Sequence, residues 1–379
     1  MSTVNQAFKR FFPEYAISHK LSSQQAKAAK NIMQCKTSAM GGNASVCHEC
    51  GHTEIHYNSC RDRHCPLCQG VTKAVWVDQR CKEVLNTPYF HVVFTIPEQL
   101  RMVTYHNKKL LYNLLYKAVS ETILELSNNP KYLGAKPGFF CILHTWAQSL
   151  DYHPHMHAVV TGGGLTEYNK WLGCRKKFFI PVKVLSKKFR GKYLHYLKQY
   201  YQQGKLNFYG DEQRLEDPRE FQSLVDTCYS KDWYSYCQET FTGPVKVLEY
   251  LGRYTNRIAI SNSRMTSVDQ DVVTFKVRNN KNVGKAKSLT LKGTEFIRRF
   301  LMHILPRGFV KVRYYGIMAH RNKKTKLSLC RKLTNSLKYK PKYEGLTTIE
   351  VLCKLLERDV MACRKCGNKL SVGPIGASP

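Results

Sequence analysis

The spacing of apolar positions changes several times along the chain, and each change marks an element. SSQQAKAAKNIMQC (22–35) repeats its apolar residues at helical spacing, with Ser22 or Ser23 as N-cap, and Gly41-Gly42-Asn43 closes that segment. VTKAVWVDQRCKEVLN (71–86) predicts a second helix, stopped by Thr87-Pro88. YFHVVFTIP (89–97) is β-branched and aromatic and predicts a strand. Residues 98–127 carry a long helical pattern ending at Asn128-Asn129-Pro130. FFCILHTWAQ (139–148) and HPHMHAVVTGGG (153–164) follow as two strands joined by a short polar turn.

Residues 183–240 read as helical, basic and rich in tyrosine. PVKVLEYLGRYTNRIAIS (244–261) reads as a helix running into a strand, DVVTFKVR (271–278) as a strand, TEFIRRFLMHI (294–304) as a helix and FVKVRYYGIM (309–318) as a last strand. One more helix is expected near 347–359, and the closing SVGPIGASP reads as disordered. Strands and helices in this irregular order predict an α+β fold with an antiparallel sheet flanked by helices. Three segments are expected: a helical and cysteine-rich unit over 1–86, the main unit over 87–320, and a basic tail over 321–379.

Charge narrows the class. The 379 residues hold 60 Lys and Arg against 27 Asp and Glu, a net charge of +33, which calls for a polyanionic partner. An anionic membrane surface is the weaker choice, because no apolar run reaches the roughly 20 residues of a spanning helix. The N-terminus lacks a signal peptide's apolar core, so a cytoplasmic, nucleoid-associated location is expected.

The 15 cysteines are an odd number without an export signal, so a disulfide framework is not expected. Six fall in Cys-x-x-Cys pairs: Cys47/Cys50, Cys65/Cys68 and Cys363/Cys366. The first two pairs are 14 residues apart, a zinc-ribbon spacing, and predict one structural Zn2+ held by Cys47, Cys50, Cys65 and Cys68. Cys60, His52, His56 and His64 are also in reach. Cys363/Cys366 has no obvious second half; Cys353 or Cys330 could complete it. Arg61 and Arg63 lie in the loop where a DNA phosphate could be met.

In a strand, alternate residues share a face, so His155 and His157 project together and Met156 turns to the core. Two adjacent imidazoles form a natural grip for a divalent ion. Gln148, His144, Asp151 and His153 are the candidates for a third ligand. Tyr250 and Tyr254 lie four apart, which on a helix puts both hydroxyls on one face, with Arg253 and Arg257 adding positive charge beside them. Tyr112/Tyr116, Tyr196/Tyr200 and Tyr339/Tyr343 share that spacing, and packing is the better account of them.

Together, the run Asn58–Gln69, the His153-Pro-His155-Met-His157 strand, Tyr250-Leu-Gly-Arg-Tyr254, Phe296–Phe309 and Arg313-Tyr-Tyr-Gly316 resemble the two-tyrosine HUH transposases of bacterial insertion sequences, the IS91 type. The resemblance spans roughly residues 30–320. It implies that His155 and His157 hold Mg2+ or Mn2+ and that Tyr250 and Tyr254 cut single-stranded DNA through 5′-phosphotyrosine links. The element would then move by a rolling-circle-like route. The expected partners are single-stranded transposon ends and target DNA. Because the chain shows no ATP-binding loop, strand opening is expected from a host helicase or the replication machinery. An HUH replication initiator or relaxase shares the histidine strand and the tyrosines, and a non-catalytic zinc nucleic-acid-binding protein would share the charge and the cysteines.

Overall fold

The computed structural model describes residues 2–174, 180–241, 247, 259–278 and 286–376. Two Ser/Thr-x-x-Gln capping boxes start the chain. Thr3 and Gln6 cap α1 (Val4–Ser18), and Ser22 and Gln25 cap α2 (Ser23–Gln34). The apolar stripe of α1, Val4, Ala7, Phe8, Phe11 and Tyr15, is buried. It packs on α8 (Gly293–Met302), where Phe8 meets Phe300 edge to face with ring centres 5.0 Å apart.

The central sheet is antiparallel throughout. It is built from β3 (Tyr89–Thr95), β4 (Lys136–Trp146), β5 (Tyr152–Leu165), β7 (Ser235–Phe241) and β11 (Val312–Gly316), in the order β11-β4-β5-β3-β7. The short β6 (Trp171–Gly173) pairs with the end of β5. Strand alternation sorts its residues. Phe90, Val92, Phe94, Met156, Ala158, Val160, Cys141 and Leu143 face one way and share the large core with α5 (Lys108–Asn128), which follows the short α4 (Arg101–His106), and with α6 (Val182–Gln202). Tyr89, Val159, Phe140 and Ile142 face the other way, in a second apolar cluster with Val247, Ile317, Met318 and Leu327. The histidines lie on this second face.

Among the described residues there are also two three-stranded antiparallel sheets. β8 (Met265–Val268), β9 (Val272–Arg278) and β10 (Ala286–Lys292) form one, in the order β10-β9-β8. The other joins the two ends of the chain: β1 (Gly42–Val46) lies between β2 (Thr53–Tyr57) and β12 (Ser371–Ile375). Among the described residues no helix is long and apolar enough to cross a membrane.

The α+β class and the antiparallel sheet agree with the sequence reading. Three expectations need correction. The stretch 371–375 is a strand, not a disordered end: Pro374 lacks an N–H but sits on an outer strand opposite Asn43, where the loss costs little. Residues 183–240 contain, besides α6 and α7 (Pro218–Ser230), the edge strand β7. Finally, 321–379 is not a free tail. β12 belongs to the β1–β2 sheet, and Asp78 of α3 (Gly70–Cys81) accepts hydrogen bonds from the Tyr339 hydroxyl and the Tyr343 amide.

Candidate active site and metal centres

Register places three histidines together. His144 of β4 lies opposite His155 of β5, and His157 follows two residues on along the same face. One nitrogen from each ring falls within 4.8 Å of the others. Of the four candidates for a third ligand, His144 therefore joins the pair. His153 instead faces Arg101, whose Nη2 donates to its Nδ1 at 3.0 Å. Asp151 is paired with Arg299 at 2.7 Å.

The rings are set for lone-pair donation. His155 Nδ1 lies 2.7 Å from the His153 carbonyl and donates to it, which leaves Nε2 as the acceptor. His157 Nδ1 lies 2.8 Å from Nε2 of His91 on β3. Burial pushes His155 down to about 4 and His157 well below the usual imidazole range, so both are neutral at pH 7. Neutral imidazoles oriented by a second hydrogen bond are the donor set a divalent ion takes. His144 stacks on Trp146, with ring centres 4.5 Å apart, and the buried Lys311 ammonium lies 4.9 Å from the Trp146 ring centre. Burial lowers Lys311 to about 7. Sequence reasoning missed His91; its signal was the alternation of β3, which puts His91 on the face that pairs with His157 rather than in the large core.

Tyr250, Tyr254, Arg253 and Arg257 lie outside the described residues. Val247, three positions before Tyr250, is fully buried in the apolar cluster on the histidine side of the sheet. The other tyrosine pairs have structural partners. Tyr112 and Tyr116 are buried, bonded to the Tyr152 hydroxyl and the Lys311 carbonyl, and Tyr196 donates to Glu121 at 2.6 Å.

The expected single cysteine site is corrected. Cys65 and Cys68 gather with Cys35 and Cys60, whereas Cys47 and Cys50 gather with Cys363 and Cys366. The β1–β2 hairpin is the physical reason. Its tip carries Cys47 and Cys50, and its base, where the Asn58 amide bonds to the Gly41 carbonyl, leads into Cys60–Cys68. Five-residue strands rise roughly 17 Å, too far for one ion to reach both knuckles. Cys35 follows directly on α2, and the Cys60 amide reaches its sulfur at 3.5 Å. Hydrogen bonds from Cys65 and Cys68 hold the Cys35 thiol far below its ordinary range. His64 is not a ligand: its Nδ1 is bonded to Asp62 at 2.9 Å, and its Nε2 accepts from the Leu305 amide at 3.1 Å.

Arg61 and Arg63 line a cleft of about 650 Å³ with Lys27, Asn31 and Arg307. Arg61 is exposed, whereas Arg63 Nη1 donates to the Phe309 carbonyl at 2.6 Å.

Two family models match the chain: one described as "Putative transposase" over residues 138–326, and one described as "Transposase zinc-binding domain" over 7–96. The chain is 41% identical over 357 residues to "Putative transposase y4qJ" of Sinorhizobium fredii, covering 91% of this chain and 90% of that one. The chain belongs to the IS91-type transposases. This transposase is also 24% identical over 321 residues to the "Transposase for insertion sequence element IS801" of Pseudomonas savastanoi pv. phaseolicola, covering 84% of this chain and 75% of the relative. The match to the transposase model includes β4, β5 and β11, and thus all three clustered histidines of the transposase. The zinc-binding match contains Cys35, Cys60, Cys65 and Cys68, but of the other cluster it contains only Cys47 and Cys50.

Proposed function

We propose that this transposase cuts and rejoins single-stranded DNA at element ends through 5′-phosphotyrosine intermediates, in a rolling-circle-like transposition. The observation that carries the reading is the convergence of His144, His155 and His157 on one sheet face, with one ring nitrogen of each within 4.8 Å of the others. These imidazoles would hold Mg2+ or Mn2+, which when bound would polarise the scissile phosphate.

The chain's own residues supply the rest. The phenol oxygen of Tyr250 or Tyr254 attacks phosphorus, the bond to the 3′ oxygen breaks, and the phenol proton is lost while the leaving 3′ oxygen gains one. One phosphodiester replaces another, so the link can be reversed by a 3′-hydroxyl without ATP. A phenol with an ordinary value near 10 needs nearby cations to ionise, and Arg253 and Arg257 are the candidates. Val247 supports this reading, since it is buried on the histidine side of the sheet shortly before Tyr250. Cys35, Cys60, Cys65 and Cys68 hold the structural zinc of the N-terminal unit, and Arg61 with Arg307 meets DNA phosphates in the adjoining cleft. The nuclease unit spans 87–320 and acts at the nucleoid in the cytoplasm, with strand opening supplied by a host helicase or the replication machinery. Incubation with single-stranded element ends and Mn2+ or Mg2+ tests the reading: a covalent protein–DNA adduct should form and map to Tyr250 or Tyr254.

A further inference from the structure

Cys47-His-Glu-Cys50-Gly51 and Cys363-Arg-Lys-Cys366-Gly367 are the same motif at opposite ends of the chain. They fold the same way. The Gly51 amide returns to the Cys47 carbonyl at 3.0 Å, and the Gly367 amide to the Cys363 carbonyl at 2.9 Å. Both glycines hold positive φ, +67° and +79°, which a side chain would strain. Beyond each turn the strands close alike: the Cys47 amide bonds to the His52 carbonyl, and the Cys363 amide to the Asn368 carbonyl. In each knuckle the first cysteine is buried and the second exposed, and Leu370 closes the base with Cys47 and Cys363.

The two knuckles face each other. Cys47 Sγ lies 3.4 Å from Cys366 Sγ, and Cys50 Sγ lies 3.6 Å from Cys363 Sγ. Zinc–sulfur bonds of about 2.3 Å place tetrahedral sulfurs about 3.8 Å apart, close to these separations. Four thiolates around one Zn2+ leave a double negative charge, and the second knuckle carries Arg364 and Lys365 between its cysteines.

We propose that Cys47, Cys50, Cys363 and Cys366 bind a second zinc ion, and that this ion clasps β12 onto β1, tying the C-terminal segment to the N-terminal unit. The ion and the β1–β12 pairing support one another, because the strands bring the knuckles together and the ion fixes the register. The ligands are 313 residues apart at their closest pairing, so the cross-link constrains the unfolded chain strongly.

The test uses the purified full-length transposase. Metal analysis should find two zinc ions per chain, falling to one in Cys47→Ser, in Cys363→Ser and in Cys60→Ser, and to none in the Cys60→Ser/Cys363→Ser pair. Cys366→His, which keeps four donors, should retain two. Amide exchange reads the clasp directly: Cys47→Ser should deprotect 371–375, and Cys363→Ser should deprotect 42–46. In the wild type, a mercurial should release the zinc of the exposed Cys50/Cys366 site first, with loss of protection at 371–375. A zinc content that Cys363→Ser leaves at the wild-type value, or an unchanged 371–375 after either treatment, would overturn the proposal.

Discussion

The ring of His91 backs that of His157, Nε2 to Nδ1 at 2.8 Å, with the two planes 6° from parallel. His157 therefore turns its Nε2 away from His91, toward the side shared with His144 and His155. If His91 fixes that ring, His91→Ala should weaken Mn2+ binding by roughly 10- to 100-fold and reduce cleavage in parallel, because partners of this kind orient a ligand without touching the ion. Excess Mn2+ should restore part of the cleavage, and DNA affinity should stay the same. Calorimetric Mn2+ titration alongside a cleavage assay checks this.

Arg61 and Arg63 should separate by measurement. Arg61 is exposed in a basic cleft, so Arg61→Ala should lower the slope of log affinity against log salt by about 1 and leave stability unchanged. Arg63 donates to the Phe309 carbonyl, so Arg63→Ala should cost roughly 1 kcal/mol of folding stability in a denaturant titration.

His303 sets a pH dependence. Its ring is buried between the Thr145 hydroxyl and the Leu150 carbonyl, and burial lowers it to about 3. Below about 6.5 the unfolded chain takes up the proton while the folded chain does not. The stability it contributes is thus present above about 6.5 and lost as pH falls toward 3. His303→Phe should destabilise the protein at pH 7 by roughly 1 to 3 kcal/mol, since the Leu150 carbonyl loses its donor, and should flatten the fall in stability between pH 6.5 and 4. Urea midpoints across that range read both effects.

Local chemistry was legible in the sequence. Ser22, one of two N-cap candidates, does cap α2, and alternation in His155-Met156-His157 gave two imidazoles on one face and a buried Met156. Long-range pairing was not. Cys47/Cys50 and Cys65/Cys68 have a ribbon's spacing, yet the hairpin between them sends each to a different partner, and nothing near Cys47 points 300 residues ahead. The same limit hid β12, whose Gly and Pro read as disorder until β1 stands beside it. His144 was one of four candidates until the β4–β5 register placed it opposite His155.

The central claim is that a histidine-bound cation and two tyrosines cut single-stranded DNA. The most direct measurement is covalent adduct formation on a labelled single-stranded element end, for the wild type and four variants, with the adduct residue mapped by mass spectrometry. The wild type should give a Mn2+- or Mg2+-dependent adduct on Tyr250 or Tyr254. Tyr250→Phe and Tyr254→Phe should each keep one adduct, the double variant should give none, and His155→Ala should bind the DNA without forming an adduct. An adduct that persists in the double tyrosine variant, or one formed at the wild-type rate by His155→Ala, would contradict the account.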